Sequence, residues 1–361
     1  MTDFPVLARS AWARAVERFA RWYSRRRPGS APDIHRPSDR FLRAAARLYA
    51  RYELPRHVRI LEALMVGHSE CWQGAGVRQC RGCWHGYRLR FNLDDFYQRW
   101  AYFLARYHEV PLQLLLRHAL RPGDTLVDGG ANIGLVSLVG AWLVGPAGRV
   151  LAFEPNPRAF ESLRWHVATN RLDQVRCVPA GLGDQDAELR LQLPRWENLG
   201  AGTFCPLPER YGGIVADSCT ARIVRGDDAL DLPDTGEVVI KLDIEGFETR
   251  ALRGLERTLA SRRPLVVTEL NRELLVASGS SPYELFHEMH TRGYEGFGFD
   301  DARAVVRRRR LLLWRVRGTG PRMPRDIAWV HPDSEAARRL RPLIADPPSP
   351  DAPGAEYPPV P

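Results

Sequence analysis

The sequence predicts an α/β fold built around a doubly wound, mostly parallel sheet of seven strands, and two observations support it. Between residues 121 and 320, short runs rich in β-branched residues alternate with longer amphipathic patterns of helical period. This alternation is typical of βαβ units, whose strands lie parallel. Two later apolar runs can close such a sheet as a hairpin.

The elements follow one another in a regular order. Five runs are assigned as the main strands: TLVDGG, RVLAFEP, VRCVPAGL, EVVIKLD and PLVVTEL. The helical patterns between and after them are GLVSLVGAWLV, NPRAFESLRWHVATN, EGFETRALRGLERTLAS and SPYELFHEMHTRG. The closing hairpin comes from GFGFD and RLLLWRVRG. Two further β-like segments, AELRLQL and ARIVRGDDALD, lie between the third and fourth main strands and predict a small β insertion near the ligand site.

Composition divides the 361 residues into three regions. Residues 1–87 are assigned as a helical N-terminal extension with a cysteine-containing segment, because WARAVERFARWY places apolar residues at helical spacing between arginines. Residues 88–330 form the α/β domain. Residues 331–361 are predicted to be a largely disordered tail, because ADPPSPDAPGAEYPPV is rich in proline and has no apolar periodicity.

The chain is basic, with 52 Lys and Arg residues against 43 Asp and Glu residues and a net charge of +9. An anionic partner would explain this excess, but arginine-rich, lysine-poor usage also follows from GC-rich coding. The sequence contains no RNA-recognition signature and no platform of interleaved aromatic and basic residues. We therefore expect no nucleic-acid partner.

The apolar runs are short. None reaches the roughly 18 uninterrupted residues that a membrane-spanning helix needs. Arginines interrupt the N-terminal stretch in which a signal peptide would be continuously apolar. We expect no transmembrane segment, a cytoplasmic location and reduced thiols at the six cysteines.

A small-residue loop follows the first main strand. Asp128 ends that strand, and Gly130, Asn132 and Gly134 lie in the turn into the next helix. Glycines allow a close approach of the backbone to a ligand, and the helix start offers unpaired N–H groups. Glu154 ends the second strand about 20 residues later, where a carboxylate can accept hydrogen bonds from ribose hydroxyls. Loop and acid together predict a nucleoside-containing cofactor.

The charge at the head of the loop narrows the choice of cofactor. A carboxylate at Asp128 would repel a pyrophosphate but suits a cationic group, such as the amino group of S-adenosylmethionine. The spacing from Asp128 to Gly134 matches the D/E-x-G-x-G-x-G loop of class I methyltransferases, with Asn132 in place of the middle glycine. GGANIG also fits a dinucleotide fingerprint with alanine as its second glycine, so an NAD(P)-dependent oxidoreductase remains the alternative.

Several motifs in order resemble the FkbM family of methyltransferases: VDGGANIG, FEPNP, PAGLGDQDAELRL, ENLGAGTF, RGDDAL and VVIKLDIEGFETRALRG. The resemblance covers about residues 88 to 300. It implies a Rossmann-like class I fold, S-adenosylmethionine as cofactor, and O-methylation of sugars, glycans or natural products. It also implies that Asp128, Gly130, Asn132 and Gly134 line the methionine end of the cofactor. Glu154 would take the ribose, and Asp184 would lie near the adenine.

The segment IKLDIEGFE supplies the candidate catalytic residues. Alternate side chains of a strand share a face, so Lys241 and Asp243 point the same way. Asp243 and Glu245 then lie at the carboxyl end of the strand, where the methyl group is expected, and clustered charges there tend to have shifted pKa values. The structural alternative is that Lys241 pairs with Glu248 and that one of the acids caps the next helix.

The predicted reaction is methyl transfer to a hydroxyl of a sugar, glycan or secondary metabolite. The acceptor must lose a proton, so a positioned base is required. Asp243 and Glu245 are the candidates, His287 is a further one, and Glu269 is expected to shape the acceptor pocket. A nucleic-acid methyltransferase is the alternative that the arginine excess leaves open.

A cysteine cluster precedes the α/β domain. His68, Cys71, Cys80, Cys83 and His85 include one C-x₂-C pair, which is found in zinc sites. No second C-x₂-C follows, and cysteines are often small buried apolar residues. We therefore assign no metal site.

Overall fold

The computed structural model describes residues 44, 72, 74–194, 199–206, 215–301, 311–316, 318 and 323–344. The helical pattern near the N-terminus, His68, Cys71 and the last 17 residues of the chain, 345–361, lie outside the described residues.

The described residues form strands and helices that alternate over most of the chain. The strands are β1 (Val77–Arg81), β2 (Arg88–Asn92), β3 (Thr125–Gly129), β4 (Arg149–Phe153), β5 (Val175–Val178), β6 (Gly181–Gly183), β7 (Ala187–Pro194), β8 (Val215–Arg225), β9 (Val238–Leu242), β10 (Leu265–Glu269), β11 (Glu295–Asp301), β12 (Leu311–Arg315) and β13 (Asp326–Val330). The helices are α1 (Phe96–Leu104), α2 (Val110–Ala119), α3 (Leu135–Val144), α4 (Pro157–Asn170), α5 (Gly226–Ala229), α6 (Glu248–Gly254), α7 (Glu256–Arg262), α8 (Arg272–Ala277), α9 (Pro282–His290) and α10 (Glu335–Leu340).

The central sheet has the order β12-β11-β13-β10-β9-β3-β4-β5. The five strands from β10 to β5 are parallel, and the pairs β10–β13, β13–β11 and β11–β12 are antiparallel. All five predicted main strands and the closing hairpin of β11 and β12 are present. The doubly wound α/β fold is confirmed, with eight strands where the sequence predicts seven.

The strand that sequence reasoning missed is β13, which lies between β10 and β11. Its sequence, DIAWV, is a short apolar run that is almost wholly buried, so it has no alternation by which to identify a strand. Its position depends on pairing with distant segments, such as Trp329 opposite Val266 and Ala328 opposite Phe297. The local sequence therefore does not predict that this segment pairs with β10 and β11.

Helices cover both faces of the sheet. Because side chains alternate along a strand, Leu126 packs into one apolar cluster and Val127 into the other. Helices α2, α3 and α4 contribute to the first cluster, and α6, α7 and α9 to the second. None of the described helices is both long and apolar enough to cross a membrane.

The predicted β insertion is present. β6, β8 and β7 form a separate three-stranded sheet, in which β8 is parallel to β6 and antiparallel to β7. The segment ARIVRGDDALD ends β8 and then forms α5. The insertion reaches the main sheet through Thr203, whose Oγ1 donates a hydrogen bond to the carbonyl oxygen of Glu245 at 2.8 Å.

Ordered structure extends across both predicted boundaries of the α/β domain. The boundary at residue 88 falls inside the antiparallel hairpin of β1 and β2, which shares the first apolar cluster through Phe91. The tail predicted from residue 331 begins with ordered structure, because α10 buries Ala336 and Leu340 and its Arg339 pairs with Asp124 at 2.6 Å. Described structure continues to residue 344.

Candidate functional site

A cleft opens at the carboxyl ends of the parallel strands, where β3 and β9 lie side by side. From β3 the chain proceeds to β4 and β5 on one side, and β9 and β10 lie on the other, so the strand order reverses here. The empty space of the cleft is ≈ 1170 Å³, counting the part that is open to solvent.

The loop after β3 forms one wall of the cleft. Gly130 has φ +71°, and a Cβ there would collide with the carbonyl oxygen of Asp243, so no other residue fits. Asn132 also lies in the left-handed region, at φ +50°, which asparagine tolerates better than most residues. Its Oδ1 is buried and has no hydrogen-bond partner among the described residues. Gly134 is the N-cap of α3. The loop thus presents an unsatisfied acceptor beside a helix start.

Glu154 lies on the same wall and is 6% exposed. Its Oε2 accepts a hydrogen bond from the backbone N–H of Asn132 at 2.6 Å, and its Oε1 accepts one from that of Asn156 at 2.8 Å. Burial raises the pKa of Glu154 to about 7, although these two hydrogen bonds and Lys241 oppose the shift. Each carboxylate oxygen has a second lone pair, so the side chain can still accept from ribose hydroxyls.

Asp128 does not lie where the sequence places it. Its side chain is fully buried behind the loop and is not part of the cleft wall. Oδ2 accepts a hydrogen bond from Ser137 Oγ at 2.6 Å, and Oδ1 lies 3.2 Å from Lys241 Nζ. The carboxylate is therefore paired with a cation of the protein, where we expected it to face a cation of the cofactor.

Lys241 connects the loop to the acidic segment. It is 3% exposed, and its Nζ donates to the carbonyl oxygen of Gly130 at 2.8 Å and lies 3.5 Å from Asp243 Oδ2. Burial alone would lower the pKa of Lys241, but Asp128 and Asp243 outweigh it and raise the pKa above its ordinary value. The alternative pairing with Glu248 is not formed. Glu248, the first residue of α6, instead accepts hydrogen bonds from the backbone N–H groups of Ile244 and Gly246 just before the helix.

Three carboxylates converge beside the loop. Oxygen atoms of Asp243, Glu245 and Glu269 all lie within 4.8 Å of one another. Asp243 and Glu245 line the cleft, and Glu269 ends the neighbouring strand β10. The sequence predicted Asp243 and Glu245 as a pair and named Glu269 separately. The parallel pairing of β9 and β10 brings them together.

The three carboxylates differ in proton affinity. Burial opposes ionisation of Asp243, but the cations of Lys241 and Arg325 prevail and lower its pKa. Burial, together with the charge of Asp243, raises the pKa of Glu245 to about 8. Burial also raises the pKa of Glu269 well above its ordinary value, and the charges of Glu245 and Asp243 add to this.

Sequence reasoning missed the far wall of the cleft, which contains Tyr97, Tyr107, His108 and Arg325. Arg325 lies 3.0 Å from Glu269 Oε1 and 3.0 Å from Glu109 Oε1. These residues come from the segments before β3 and just before β13, and no motif marks them. Lys241, by contrast, is named by the sequence analysis; it is the one lysine among the 52 basic residues of the chain.

Two predicted residues lie away from the cleft. Asp184 follows β6 but does not line the cleft, although Gly181 and Leu182 of the same strand do. His287 is exposed on α9, where its ring stacks on that of Tyr283 at 6.2 Å between centroids. Neither side chain is placed to contact a ligand in the cleft.

The cysteine segment forms part of the β1–β2 hairpin. Cys80 lies in β1, and Cys83 is exposed in the turn. Burial, and secondarily His166, lowers the pKa of His85 to about 4. Within the described ranges, the group of metal-ligand atoms that lies within 4.8 Å is the carboxylate cluster and not these cysteines.

Comparisons with known proteins agree with this architecture. Residues 128–307 match the model of the family described as Methyltransferase FkbM domain. The hexuronic acid methyltransferase AglP of Haloferax volcanii is 29% identical over 190 residues, which are 50% of this chain and 70% of that protein. The 31-O-demethyl-FK506 methyltransferase FkbM of Streptomyces tacrolimicus is 30% identical over 188 residues, which are 43% of this chain and 69% of that protein.

A solved structure is also similar to this chain. It is a methyltransferase FkbM from Methylobacillus flagellatus, 17% identical, with a TM-score of 0.34. The match covers 64% of this chain and 52% of the solved chain, so the present chain spans about half the length of that protein.

Proposed function

The chain belongs to the FkbM family of methyltransferases and uses S-adenosylmethionine, and we propose that it methylates a hydroxyl of a sugar, glycan or secondary metabolite. Two relatives support this acceptor class, since one is named for a hexuronic acid and the other for an O-demethylated natural product. The observation that carries the proposal is structural: one cleft is bordered by the loop at Asn132, by Glu154, and by Asp243 and Glu245. A cytoplasmic location stays a prediction.

We assign the cofactor to the wall formed by the loop and Glu154. Glu154 would accept hydrogen bonds from the ribose hydroxyls, and the buried Oδ1 of Asn132 would receive its missing donor from the ligand. Asp128 would act indirectly, by holding Lys241 against the carbonyl oxygen of Gly130. Asp184 has no contact with the cleft, so we do not propose it for the adenine.

The acceptor would then lie on the side of the carboxylates. S-adenosylmethionine supplies an activated methyl group, so the chain contributes alignment and removal of a proton. Asp243 and Glu245 border the cleft at the carboxyl end of β9, within reach of an acceptor hydroxyl. We propose that both orient that hydroxyl and that Asp243, whose pKa Lys241 and Arg325 lower, receives its proton. Lys241 is a positioning residue that holds Asp243 in place.

The rest of the cleft would recognise the body of the acceptor. Tyr97, Tyr107 and His108 border it on one side, and Phe204 of the β insertion borders it on another. Aromatic faces suit the apolar face of a sugar ring or a polyketide. A nucleic-acid acceptor has no observation among the described residues in its favour. Membership of the family disfavours the NAD(P)-dependent alternative.

Calorimetry with S-adenosylhomocysteine tests the cofactor assignment. Wild-type protein should bind it, and Glu154→Ala should weaken binding about tenfold or more, the cost of about one charge-assisted hydrogen bond. Glu161→Ala is the matched control, because Glu161 is exposed on α4. Binding of NAD⁺ in preference to S-adenosylhomocysteine would contradict the assignment.

The acceptor class is tested with labelled S-adenosylmethionine and fractionated metabolites of the source cell. Label in a sugar, glycan or secondary metabolite, attached through an ether oxygen by mass spectrometry, is the expected result. Label that appears only in RNA or DNA would overturn the proposal.

A further inference from the structure

The carboxylate cluster has a geometry that the methyl-transfer reaction alone does not require. Asp243 and Glu245 extend from the end of β9, and Glu269 from the end of β10, with their oxygens within 4.8 Å of one another. Three acids in such proximity repel one another unless a cation or protons lie between them.

A second observation concerns Glu269 itself. This residue is 6% exposed, and its Oε1 accepts a hydrogen bond from Arg325 at 3.0 Å. Its Oε2 is buried and has no hydrogen-bond partner among the described residues. A buried carboxylate oxygen without a partner costs free energy, so it requires either a proton shared with a neighbouring acid or a bound cation.

Among the described residues, the cations near the cluster do not balance its acids. Lys241 and Arg325 are the cations that contact the cluster within the described part of the chain. Each is shared with an acid outside the cluster, Lys241 with Asp128 at 3.2 Å and Arg325 with Glu109 at 3.0 Å. Five carboxylates therefore face two cations.

We propose that a divalent cation of the Mg²⁺ or Mn²⁺ type binds between Asp243, Glu245 and Glu269 and takes acceptor hydroxyls into its remaining coordination positions. Carboxylate oxygens are the ligands these hard cations prefer. Such ions commonly keep several positions for water and substrate. The cluster borders the cleft through Asp243 and Glu245, so those positions face the acceptor.

The inference rests on the proposed function, because it assigns the cation to the acceptor side of the same cleft. A bound cation makes a coordinated hydroxyl more acidic and fixes its orientation. The O–H bond breaks and its proton passes through a cluster carboxylate to solvent. The oxygen lone pair forms the new O–CH₃ bond as the C–S bond breaks, and its electrons remain on sulfur in neutral S-adenosylhomocysteine.

Titration of the whole protein with MnCl₂, followed by electron paramagnetic resonance of free Mn²⁺, tests the site. About one ion should bind per chain, as expected for three ligands at one point. Glu269→Gln and Glu245→Gln each remove a carboxylate from the proposed site. Each should therefore weaken Mn²⁺ binding about tenfold or more. Glu256→Gln, at an exposed position in α7, should bind like wild type.

Calorimetry with S-adenosylhomocysteine on the same samples separates the two proposals. Cofactor binding should be kept in both cluster variants, which also shows that they are folded. If one of them does not fold, the other decides. Absence of Mn²⁺ binding in a wild-type protein that still binds S-adenosylhomocysteine overturns the cation site and leaves the methyltransferase proposal intact. Unchanged Mn²⁺ binding in the variants also overturns it.

Discussion

Two walls of the cleft are built in different ways. The cofactor wall, to which we assign S-adenosylmethionine, consists of the loop after β3 and Glu154, and the acceptor wall consists of Asp243 and Glu245 with Glu269 beside them. On the cofactor wall, Glu154 has both carboxylate oxygens hydrogen-bonded by backbone N–H groups, and the loop is held by Lys241. On the acceptor wall, three carboxylates lie close together and Glu269 keeps an oxygen without a partner among the described residues. Each wall keeps a buried oxygen without a partner among the described residues, Asn132 Oδ1 on the first and Glu269 Oε2 on the second. The difference lies in the acids: Glu154 is satisfied by backbone donors, whereas Asp243, Glu245 and Glu269 lie against one another.

Lys241 joins the two walls, so its removal should have the largest effect. Lys241→Met leaves the buried carboxylate of Asp128 without its cation, which should lower the free energy of unfolding by about 3–5 kcal/mol. Urea denaturation measures this. Adding Asp128→Asn to the same chain should restore part of the loss, since it removes the unpaired charge. If the double variant is no more stable than the single one, the two residues are not coupled as described.

The next largest effect should come from the tight contact between the walls at Gly130. Gly130→Ala combines a strained φ with a collision against the carbonyl oxygen of Asp243, so it should cost well over the roughly 1–3 kcal/mol of strain alone. Gly123→Ala is a matched control, because Gly123 has φ +94° but no atom lies within 4 Å of the position that an added Cβ would take. In thermal unfolding, Gly130→Ala should have a lower melting temperature than Gly123→Ala. The affinity for S-adenosylhomocysteine should fall only in Gly130→Ala. Equal losses would show that the close approach is unimportant.

A smaller effect is expected from pH at the cofactor wall. The pKa of Glu154 is raised by burial to about 7, so the carboxyl is mostly neutral at pH 6 and mostly ionised at pH 8. Because the ionised form is the better acceptor for ribose hydroxyls, adenosine binding should tighten by up to about tenfold between these pH values. Adenosine is the suitable probe, since it lacks the amino group of the methionine moiety.

The same shift affects stability with a defined sign. The folded pKa of Glu154 lies above its ordinary value of 4.5, so its contribution to stability is full below pH 4.5 and is lost as the pH rises through 7.

The control for the adenosine experiment is Glu154→Gln. Adenosine affinity measured by calorimetry in this variant should be weak and independent of pH. An equal pH dependence in that variant would assign the effect to another group.

The smallest effect should be at Asp184. Asp184→Asn is expected to leave S-adenosylhomocysteine affinity unchanged, because the side chain lies outside the cleft. Leu182→Ala, in the preceding strand, removes a side chain that lines the cleft and should weaken binding. A large loss in Asp184→Asn would restore the sequence-based prediction that this acid contacts the adenine.

These contrasts also explain how much the sequence could predict. The loop from Asp128 to Gly134 and the acid at Glu154 are short motifs at strand ends, so the sequence predicts both as parts of a site, and it predicts the five parallel strands that the structure confirms. The sequence does not predict the direction of the Asp128 side chain, because only the fold shows that Lys241 Nζ lies 3.2 Å from its Oδ1. A strand-end acid can face a ligand or a buried lysine, and spacing does not distinguish the two.

The acceptor wall was less accessible to sequence reasoning. Glu269 and Arg325 meet through the antiparallel pairing of β10 with β13, and the second of these strands was missed. Tyr107 and Glu109 belong to a segment before the first main strand that contains no motif. Residues brought together by pairing of distant segments leave no local pattern.

A crystal structure with S-adenosylhomocysteine tests the central claim most directly. The account predicts ribose hydroxyls within hydrogen-bonding distance of the Glu154 carboxylate, a ligand donor on Asn132 Oδ1, and the sulfur directed toward Asp243 and Glu245. A nucleoside bound without contact to Glu154, or a sulfur directed away from the carboxylates, would contradict it.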